Sequence, residues 1–354
     1  MWSDSDIKAM RAAILAWYDA EGRTLPWRVR PEDRVRGARP EAYAVWLSEV
    51  MLQQTTIAHG TPYWRKFLSL YPTVEDLAAA PLDEVLTHWA GLGYYARARN
   101  LHKCAKIIAE AGEWPTTRAG LIQLPGIGDY TASTIAAICF DEPTTIVDGN
   151  VERVMARLHA VETPVPKARP ELKRLAAVLS DPDRPGDYGQ AVMDLGATVC
   201  TPRSPGCLLC PWQGWCVARR EGEPERYPVK AKKRAVPEKR GHAWVALKNG
   251  DVWLRRRPED GLLGGMMEVP TGEWAAEAPE AAPPLPADWT RQPAPVRHVF
   301  SHFALTLEVW VGEVEAMPGE GGWVAVDALD GEALPSLFRK VLKGAGVSDR
   351  LTPL

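Results

Sequence analysis

Four cysteines crowd one short stretch of the chain. Cys200, Cys207, Cys210 and Cys216 follow the spacing C-x6-C-x2-C-x5-C, so four thiolates could surround one metal centre. Six cysteines in a chain this long do not resemble the disulfide framework of a small secreted domain. The cluster therefore predicts a metal site. Spacing alone leaves zinc open, although zinc sites more often pair two short C-x2-C arms.

A glycine turn, LPGIGDYTAS, spans residues 124 to 133. Gly126 and Gly128 are free to take positive φ, and a helix is predicted to begin near Asp129 or Thr131. Backbone N–H groups at such a helix start can hold a phosphate. A glycine turn between helices is also a common structural connection, so this motif alone does not separate the two readings.

Two further polar positions accompany the turn. Tyr130 follows the second glycine, and Asp148 stands eighteen residues later in VDGN, with Asn150 just before the next predicted helix. An aspartate in this place could simply cap the helix, and it could also carry chemistry.

The elements that must position these residues change character along the chain. Apolar residues recur with helical period up to about residue 218. Helices are predicted over 7–20, 44–57, 83–90, 98–111, 131–140, 151–160 and 170–180. On the second of these, Glu49, Gln53 and Thr56 are predicted to share a face away from the buried apolar stripe.

The C-terminal part is predicted to be α+β. A basic connector leads into two strand-like runs joined by Asn249-Gly250, a favoured hairpin turn. Residues 301–311 alternate apolar and polar side chains, and a helix is expected near 335–344. The Ala- and Pro-rich stretch 274–295 is predicted to be a flexible surface loop.

Composition sets the broad class. The chain has 354 residues, 46% hydrophobic and 25% charged, which fits a globular protein of two domains. We find no signal peptide and no run of ~18 apolar residues, so we expect a cytoplasmic protein without a membrane span, nucleoid-associated if bacterial. The net charge of −3 does not decide whether a local basic face binds nucleic acid.

A helix-hairpin-helix, an aspartate and four cysteines in this order resemble the endonuclease III superfamily of DNA glycosylases. WLSEVMLQQT at 46–55 and GLGYYARARNLH at 91–102 look like the MutY-type adenine DNA glycosylases. The resemblance covers nearly the whole chain. It implies an all-α helix-hairpin-helix glycosylase domain over 1–220, with an iron–sulfur loop at 200–216. A basic connector over 221–240 and an α+β Nudix-like (MutT-like) 8-oxoguanine recognition domain over 241–354 would follow.

The resemblance also implies an activity, removal of adenine mispaired with 8-oxoguanine or guanine. Glu49 would be the acid that protonates the adenine, and burial must raise its pKa, since an ordinary glutamate is protonated in only about 1 in 500 molecules at pH 7. Asp148 would stay ionised to stabilise the sugar cation, and Asn150 would orient it and the attacking water. Tyr130 replaces the lysine with which other members cut the backbone, so we expect a monofunctional enzyme.

The remaining site residues each resemble a position of the family individually. Four of them resemble residues that line the adenine pocket of the family: Arg23, Trp27, Arg28 and Gln190. Gln53 and Tyr94 match side chains that wedge into the duplex during base flipping. Gln54 and Thr55 match residues that face the opposite base. Gly126 and Gly128 would bind one DNA phosphate, and Arg203 another. The segment 29–40, VRPEDRVRGARP, is longer and richer in arginine than the usual pattern.

Two resemblances concern cofactor and opposite base. The family favours a [4Fe–4S] cluster on Cys200, Cys207, Cys210 and Cys216, in a structural role. RHVFSH, at 297–302, resembles the loop that recognises 8-oxoguanine, which implicates His298, Phe300, Ser301 and His302. A strand-edge polar loop would look similar. GLLGGMMEVP lacks the glutamate-rich helix with which a Nudix hydrolase holds Mg²⁺, so the fold is expected to read a base rather than hydrolyse a nucleotide.

The expected partner is double-stranded DNA with the mispair, bound by a monomer. Three alternatives remain at this stage. A thymine or uracil mismatch glycosylase of the same superfamily can also carry tyrosine at the position of Tyr130. A non-catalytic iron–sulfur DNA-binding protein would not need Glu49 or Asp148. A nucleotide pyrophosphohydrolase is disfavoured by the missing metal helix.

Overall fold

The computed structural model describes residues 2–231, 236–259, 261–300 and 302–347. Contacts divide it into two compact units, one of residues 1–78 and 103–233 and the other of residues 79–102 and 234–354. The sequence assigned 79–102 to the helical domain, whereas the contacts group it with the C-terminal unit.

The helical elements fill the first two thirds of the chain. They are α1 (Asp4–Glu21), α2 (Pro31–Val35), α3 (Ala42–Met51), α4 (Ile57–Leu70), α5 (Val74–Ala79), α6 (Leu82–Trp89), α7 (Ala96–Ala111), α8 (Arg118–Leu121), α9 (Asp129–Phe140), α10 (Gly149–His159), α11 (Arg169–Leu179), α12 (Pro185–Asp194) and α13 (Val217–Arg220). A π-helical turn over Leu195–Val199 continues α12 directly. Among the described residues, no helix is both long and apolar enough to cross a membrane.

The prediction of one helix over 44–57 was wrong. α3 ends at Met51, and α4 begins anew at Ile57. Thr56 caps this second helix, because its hydroxyl accepts a hydrogen bond from the backbone N–H of His59 at 3.3 Å. The stretch 53–55 therefore forms a turn between two helices, and the helical face proposed for Glu49, Gln53 and Thr56 does not exist.

The sequence analysis missed six helices, of which α4 and α12 are the longest; the others are α2, α5, α8 and α13. All ten residues of α12 are buried, so it presents no exposed polar face, and its sequence contains Pro185 and two glycines, which disfavour a helix prediction. α4 contains Pro62 in its first turns, which weakens the pattern on which a helix is recognised.

The arginine-rich segment 29–40 contains α2 and ties two neighbouring helices together. Arg30 donates to the carbonyls of Asp19 and Gly22 at the end of α1. Arg34 pairs with Asp141, which follows α9, at 2.6 Å. The insertion is thus part of the packed helical unit.

The C-terminal unit is built around one mixed sheet. Its strands are β1 (Glu238–Lys248), β2 (Asp251–Arg256), β3 (Met267–Glu268), β4 (Thr290–Arg291), β5 (Val296–Val299), β6 (Ala304–Glu313) and β7 (Gly322–Ala325). The order is β3-β2-β1-β6-β4, with β5 also on β6 and β7 on β2, and β1 and β6 run parallel. The predicted hairpin is present, since β1 and β2 pair antiparallel about Asn249 and Gly250. Both turn residues have positive φ.

One face of the sheet carries the hydrophobic core of this unit. Leu305, Leu307 and Val309 on β6 are fully buried, and they belong to one cluster with Phe338 and Leu342 of α14 (Ser336–Gly344). This helix lies where the sequence predicted one. Residues 274–295 form surface segments that contribute only the short strand β4.

Candidate active site

Glu49, on α3, lines a small cavity in the helical unit. The lining residues are Trp27, Arg28, Val45, Glu49, Ile138, Gln190 and Met193. The volume open to the centre of a water molecule is about 20 Å³, which is room for about one water. The structure thus brings three of the four predicted adenine-pocket residues to the predicted acid. Arg23 lies beside them on Asp194, with its Nε 2.6 Å from the carboxylate.

The surroundings of Glu49 favour its protonated form. Burial raises the pKa of this carboxyl to about 7, and the negative charge of Asp148 acts in the same direction. A hydrogen bond from Tyr130 and the positive charge of Arg28 oppose that rise. Near pH 7 the group is therefore protonated in about half of the molecules, against about 1 in 500 for a free glutamate.

Tyr130 is the second residue of α9 and faces Glu49. Its hydroxyl hydrogen-bonds the Glu49 side chain and lies 3.6 Å from Sδ of Met193. Burial, followed by the charges of Glu49 and Asp148, raises the pKa of this phenol well above its usual value. Tyr130 is accordingly a neutral hydrogen-bond donor at the wall of the site.

Asp148 caps α10 and belongs to the same site. Its Oδ1 accepts a hydrogen bond from the backbone N–H of Val151 at 2.7 Å, and its Oδ2 accepts one from Asn150 Nδ2 at 2.8 Å. Its charge acts on both Glu49 and Tyr130. The capping and chemical readings of this aspartate are therefore compatible, because the cap fixes a carboxylate that faces the acid.

Arg153 links this aspartate to the cysteine loop, and the sequence analysis missed it. Its Nη2 donates to Asn150 Oδ1 at 2.9 Å and to the carbonyl of Gly196 at 2.7 Å, and its Nε donates to the carbonyl of Cys200 at 2.8 Å. A Cβ on Gly196 would lie 2.6 Å from Cβ of Asn150, so only glycine allows this approach. The spacing of Asn150 and Arg153, one helical turn apart, was the available signal.

The glycine turn has the expected form with one difference. Gly126 has a φ of 77°, whereas Gly128 has a φ of −87° and serves as the N-cap of α9 without a side-chain cap. Asp129 follows, and it pairs with Lys173 and Arg118. These cations lower the pKa of Asp129 and balance its charge beside the exposed N–H groups.

Two of the predicted DNA-contact positions have a backbone rarely adopted by residues other than glycine. Gln54, between Gln53 and Thr55 in the turn after α3, has a φ of 61°. Tyr94, in the C-terminal unit, has a φ of 49°, and 53% of it is exposed. Such strain persists where the fold enforces it, and it concentrates at functional sites. Arg203 is an exposed residue of the cysteine loop.

The four clustered cysteines are free thiols on one loop. Across the described ranges, no three metal-ligating side chains stand close enough together to hold an ion. The four thiols nonetheless influence one another electrostatically. Burial raises the pKa of Cys210 to about 12, and the charges of Cys200, Cys216 and Cys207 act in the same direction. Backbone N–H groups point at two of them, from Trp212 to Cys210 and from Arg219 to Cys216.

In the C-terminal unit, the predicted recognition loop contains an aromatic group. The rings of His298 and Phe300 lie 4.6 Å apart, and Phe300 stacks with Trp274 at 6.2 Å. His302 is exposed, and Ser301 lies outside the described residues.

Glu268, the glutamate of the motif GLLGGMMEVP, is not available to bind a metal ion. Glu268 is buried between Arg255 and Arg257, with its Oε1 2.9 Å from Arg255 Nε. No helix forms between 269 and 300, a range that the structure describes in full.

Comparison with known proteins gives matches to both halves. Residues 47–178 match the HhH-GPD superfamily of base excision DNA repair proteins, and residues 242–344 match the NUDIX domain. Human adenine DNA glycosylase is 36% identical over 406 residues, covering 96% of this chain and 74% of that protein. The adenine DNA glycosylase of Buchnera aphidicola subsp. Schizaphis graminum is 34% identical and covers 83% of this chain and 84% of its own length.

Solved structures match the helical part. A thermostable thymine-DNA glycosylase superposes with a TM-score of 0.53 at 25% identity, covering 62% of this chain and 98% of that one. Endonuclease III, in a non-covalent complex with DNA, gives a TM-score of 0.51 at 22% identity, covering 63% and 99%. At 22% identity, the similarity to endonuclease III shows only that the fold is shared.

Proposed function

Because this chain belongs to the adenine DNA glycosylase family, we propose that it excises adenine mispaired with 8-oxoguanine or guanine and leaves an abasic site without efficient strand cleavage. The observation that carries the mechanism is the pair of carboxyl groups in one site, Glu49 with a raised pKa and Asp148 held at a helix N-terminus.

The first step is departure of the base. An adenine extruded from the duplex enters beside Glu49, whose carboxylic acid donates its proton to a ring nitrogen. The C–N bond then breaks, and its electron pair leaves with the neutral adenine. Trp27, Arg28 and Gln190 line the space that must widen to admit the base.

The second step completes hydrolysis at the sugar. The Asp148 carboxylate stabilises the cation at the anomeric carbon or bonds to it briefly. Asn150, bonded to Asp148 Oδ2, holds that carboxylate and orients the attacking water. The Glu49 carboxylate takes up the proton that the water releases, which restores the acid.

Absence of strand cleavage follows from Tyr130. A lyase needs an amine that forms a Schiff base with the opened sugar, and a phenol cannot do so. Tyr130 is instead engaged with Glu49. The abasic site is therefore the product.

DNA recognition is divided among three sets of residues. The N–H groups of the Gly126–Gly128 turn and the exposed Arg203 bind backbone phosphates. Gln53 and Tyr94 wedge into the duplex, and Gln54 and Thr55 face the opposite base. His298, Phe300, Ser301 and His302 read 8-oxoguanine. The proposed enzyme acts on double-stranded DNA as a monomer in the cytoplasm, in association with the nucleoid if the organism is bacterial.

We propose that the cysteine loop holds a [4Fe–4S] cluster, because four thiolates are the donor set of such clusters. Cys200, Cys207, Cys210 and Cys216 supply four sulfurs in one neighbourhood, and N–H groups directed at two of them are usual around such clusters. When bound, the cluster supplies no chemistry to base removal and serves to shape the loop that presents Arg203.

Single-turnover incubation with duplexes that contain A:8-oxoguanine, A:G, T:G or U:G tests the proposal. We expect adenine loss from the first two, strand breaks only after alkali, and loss of activity in Glu49→Gln by about 10²-fold or more. Release of thymine or uracil would favour a mismatch glycosylase like the thermostable structural relative. Binding without excision would leave only a DNA-binding role.

A further inference from the structure

Asp194 is a carboxylate with no access to solvent, at the end of α12 and next to the proposed adenine pocket. Its side chain is 0% exposed and contacts two arginines. Its Oδ2 lies 2.8 Å from Arg28 Nη1, and its Oδ1 lies 2.6 Å from Arg23 Nε. The backbone N–H of Arg23 also donates to Oδ2 at 2.8 Å. One buried anion therefore fixes both the backbone and the side chain of Arg23, together with the side chain of Arg28.

Arg28 is the member of this group that faces Glu49. It lines the same cavity, and its positive charge favours the ionised form of Glu49. Burial alone would lower the pKa of Arg28, but the charge and hydrogen bond of Asp194 raise it above its usual value. Arg28 thus remains a cation beside a carboxyl that must keep its proton.

We propose that Asp194 is a positioning residue for adenine excision, which holds Arg28 in the pocket and offsets its charge so that Glu49 remains an acid. The inference rests on the proposed role of Glu49. Without Asp194, Glu49 would be the carboxyl group left beside the Arg28 cation, which favours its ionised form.

Several other ionisable groups face Glu49 or Asp194. Glu49 is faced by Arg28, by Asp148, by the Tyr130 hydroxyl and by the Cys139 thiol. Asp194 is faced by the two arginines and by Tyr18, whose pKa burial raises to about 12. Within the described residues near this pocket, Asp194 is the carboxylate that both contacts Arg28 and stands outside the reaction itself.

The test is the pH profile of single-turnover excision by the full-length protein on an A:8-oxoguanine duplex, from about pH 5 to about pH 9 at saturating enzyme. The rate should fall on the alkaline side as Glu49 loses its proton. In Asp194→Asn we expect this alkaline limb to move about 0.5 to 1 pH unit toward acid. Asp194→Glu restores the charge and should return the limb toward its original position, even where altered geometry lowers the rate.

Asp187→Asn is the matched control. Asp187 is also a buried carboxylate on α12 and also pairs with two arginines, Arg184 and Arg34. Because neither arginine lines the cavity, its substitution can lower stability but should leave the limb in place.

A uniform loss of rate in Asp194→Asn, with an unmoved limb, would overturn the proposal. If that variant does not fold, Arg28→Gln decides, because removing the cation should move the limb toward alkaline pH, and an unmoved limb there would refute the link. A wild-type profile with no alkaline limb would instead overturn the role of Glu49, and a limb that remains in Glu49→Gln would do the same.

Discussion

At the scale of single residues, the raised pKa of Glu49, the proposed acid, lowers the stability of the folded protein at neutral and alkaline pH. Its folded pKa of about 7 lies above the value of 4.5 expected for the unfolded chain. The folded protein therefore binds more protons than the unfolded chain between these two values, and its stability falls as pH rises through that window. Glutamine keeps the shape of the side chain and carries no charge.

We expect Glu49→Gln to be more stable than the wild type at pH 8, by about 3 kcal/mol at most, and to differ little at pH 4. Urea denaturation of both proteins at the two pH values measures this difference in the free energy of unfolding. An equal difference at both values would mean that the folded pKa is not raised.

The residue types of this site were readable from sequence, but their energetics were not. Glu49, Tyr130, Asp148 and Asn150 stand in recognisable motifs, and the structure brings them together. Arg153 and Asp194 carry no motif of their own. Their importance comes from contacts with residues more than 40 positions away, which one-dimensional patterns do not contain.

At the scale of elements, the junction between α10 and the π-helical turn after α12 fixes the start of α10, where Asp148 and Asn150 lie. Gly196 packs directly on Asn150, and its carbonyl accepts from Arg153. A methyl group on Gly196 has no space there, because it would press on the first turn of α10.

Gly196→Ala should lower the excision rate about 10²-fold by shifting Asp148, with a loss of about 1 to 3 kcal/mol in stability. Single-turnover kinetics and urea denaturation measure the two effects. Gly331→Ala, where an added Cβ meets nothing within 4 Å and which lies outside the proposed site, is the control and should change neither. Wild-type kinetics in Gly196→Ala would show that the junction tolerates displacement.

Element prediction succeeded for β6 and α14 and failed at α12 and at the end of α3. The alternating β6 and the amphipathic α14 were found with good bounds, since each presents one apolar face. α12 was missed because it is buried on all sides, and the end of α3 was misplaced because the helical pattern continues across a break that Thr56 enforces.

At the scale of the molecule, the two compact units do not follow the linear order of the chain. Residues 79–102 interrupt the helical unit and group with the C-terminal one. Within that unit, Arg99 donates to the carbonyl of Gly264, and Asp83 pairs with Arg256 at 3.0 Å. A segment that carries Tyr94 thus depends on a sheet far along the chain.

A protein truncated after residue 233 should therefore be cleaved within 79–102 by a protease much faster than the full chain. Limited proteolysis with mass spectrometry of the fragments measures the rate at each site. Arg256→Gln in the full chain is the control, because loss of one exposed ion pair should matter little. Equal protection in the truncated protein would mean that the helical unit alone orders this segment.

On the proposed mechanism, the cavity beside Glu49, with space for about one water, is too small to admit an adenine without rearrangement. A base that stays stacked in the duplex therefore does not reach Glu49, whatever base stands opposite it. The residues that line the cavity must therefore move apart to admit the base before Glu49 can donate its proton. Selection of the base thus begins before the chemical step.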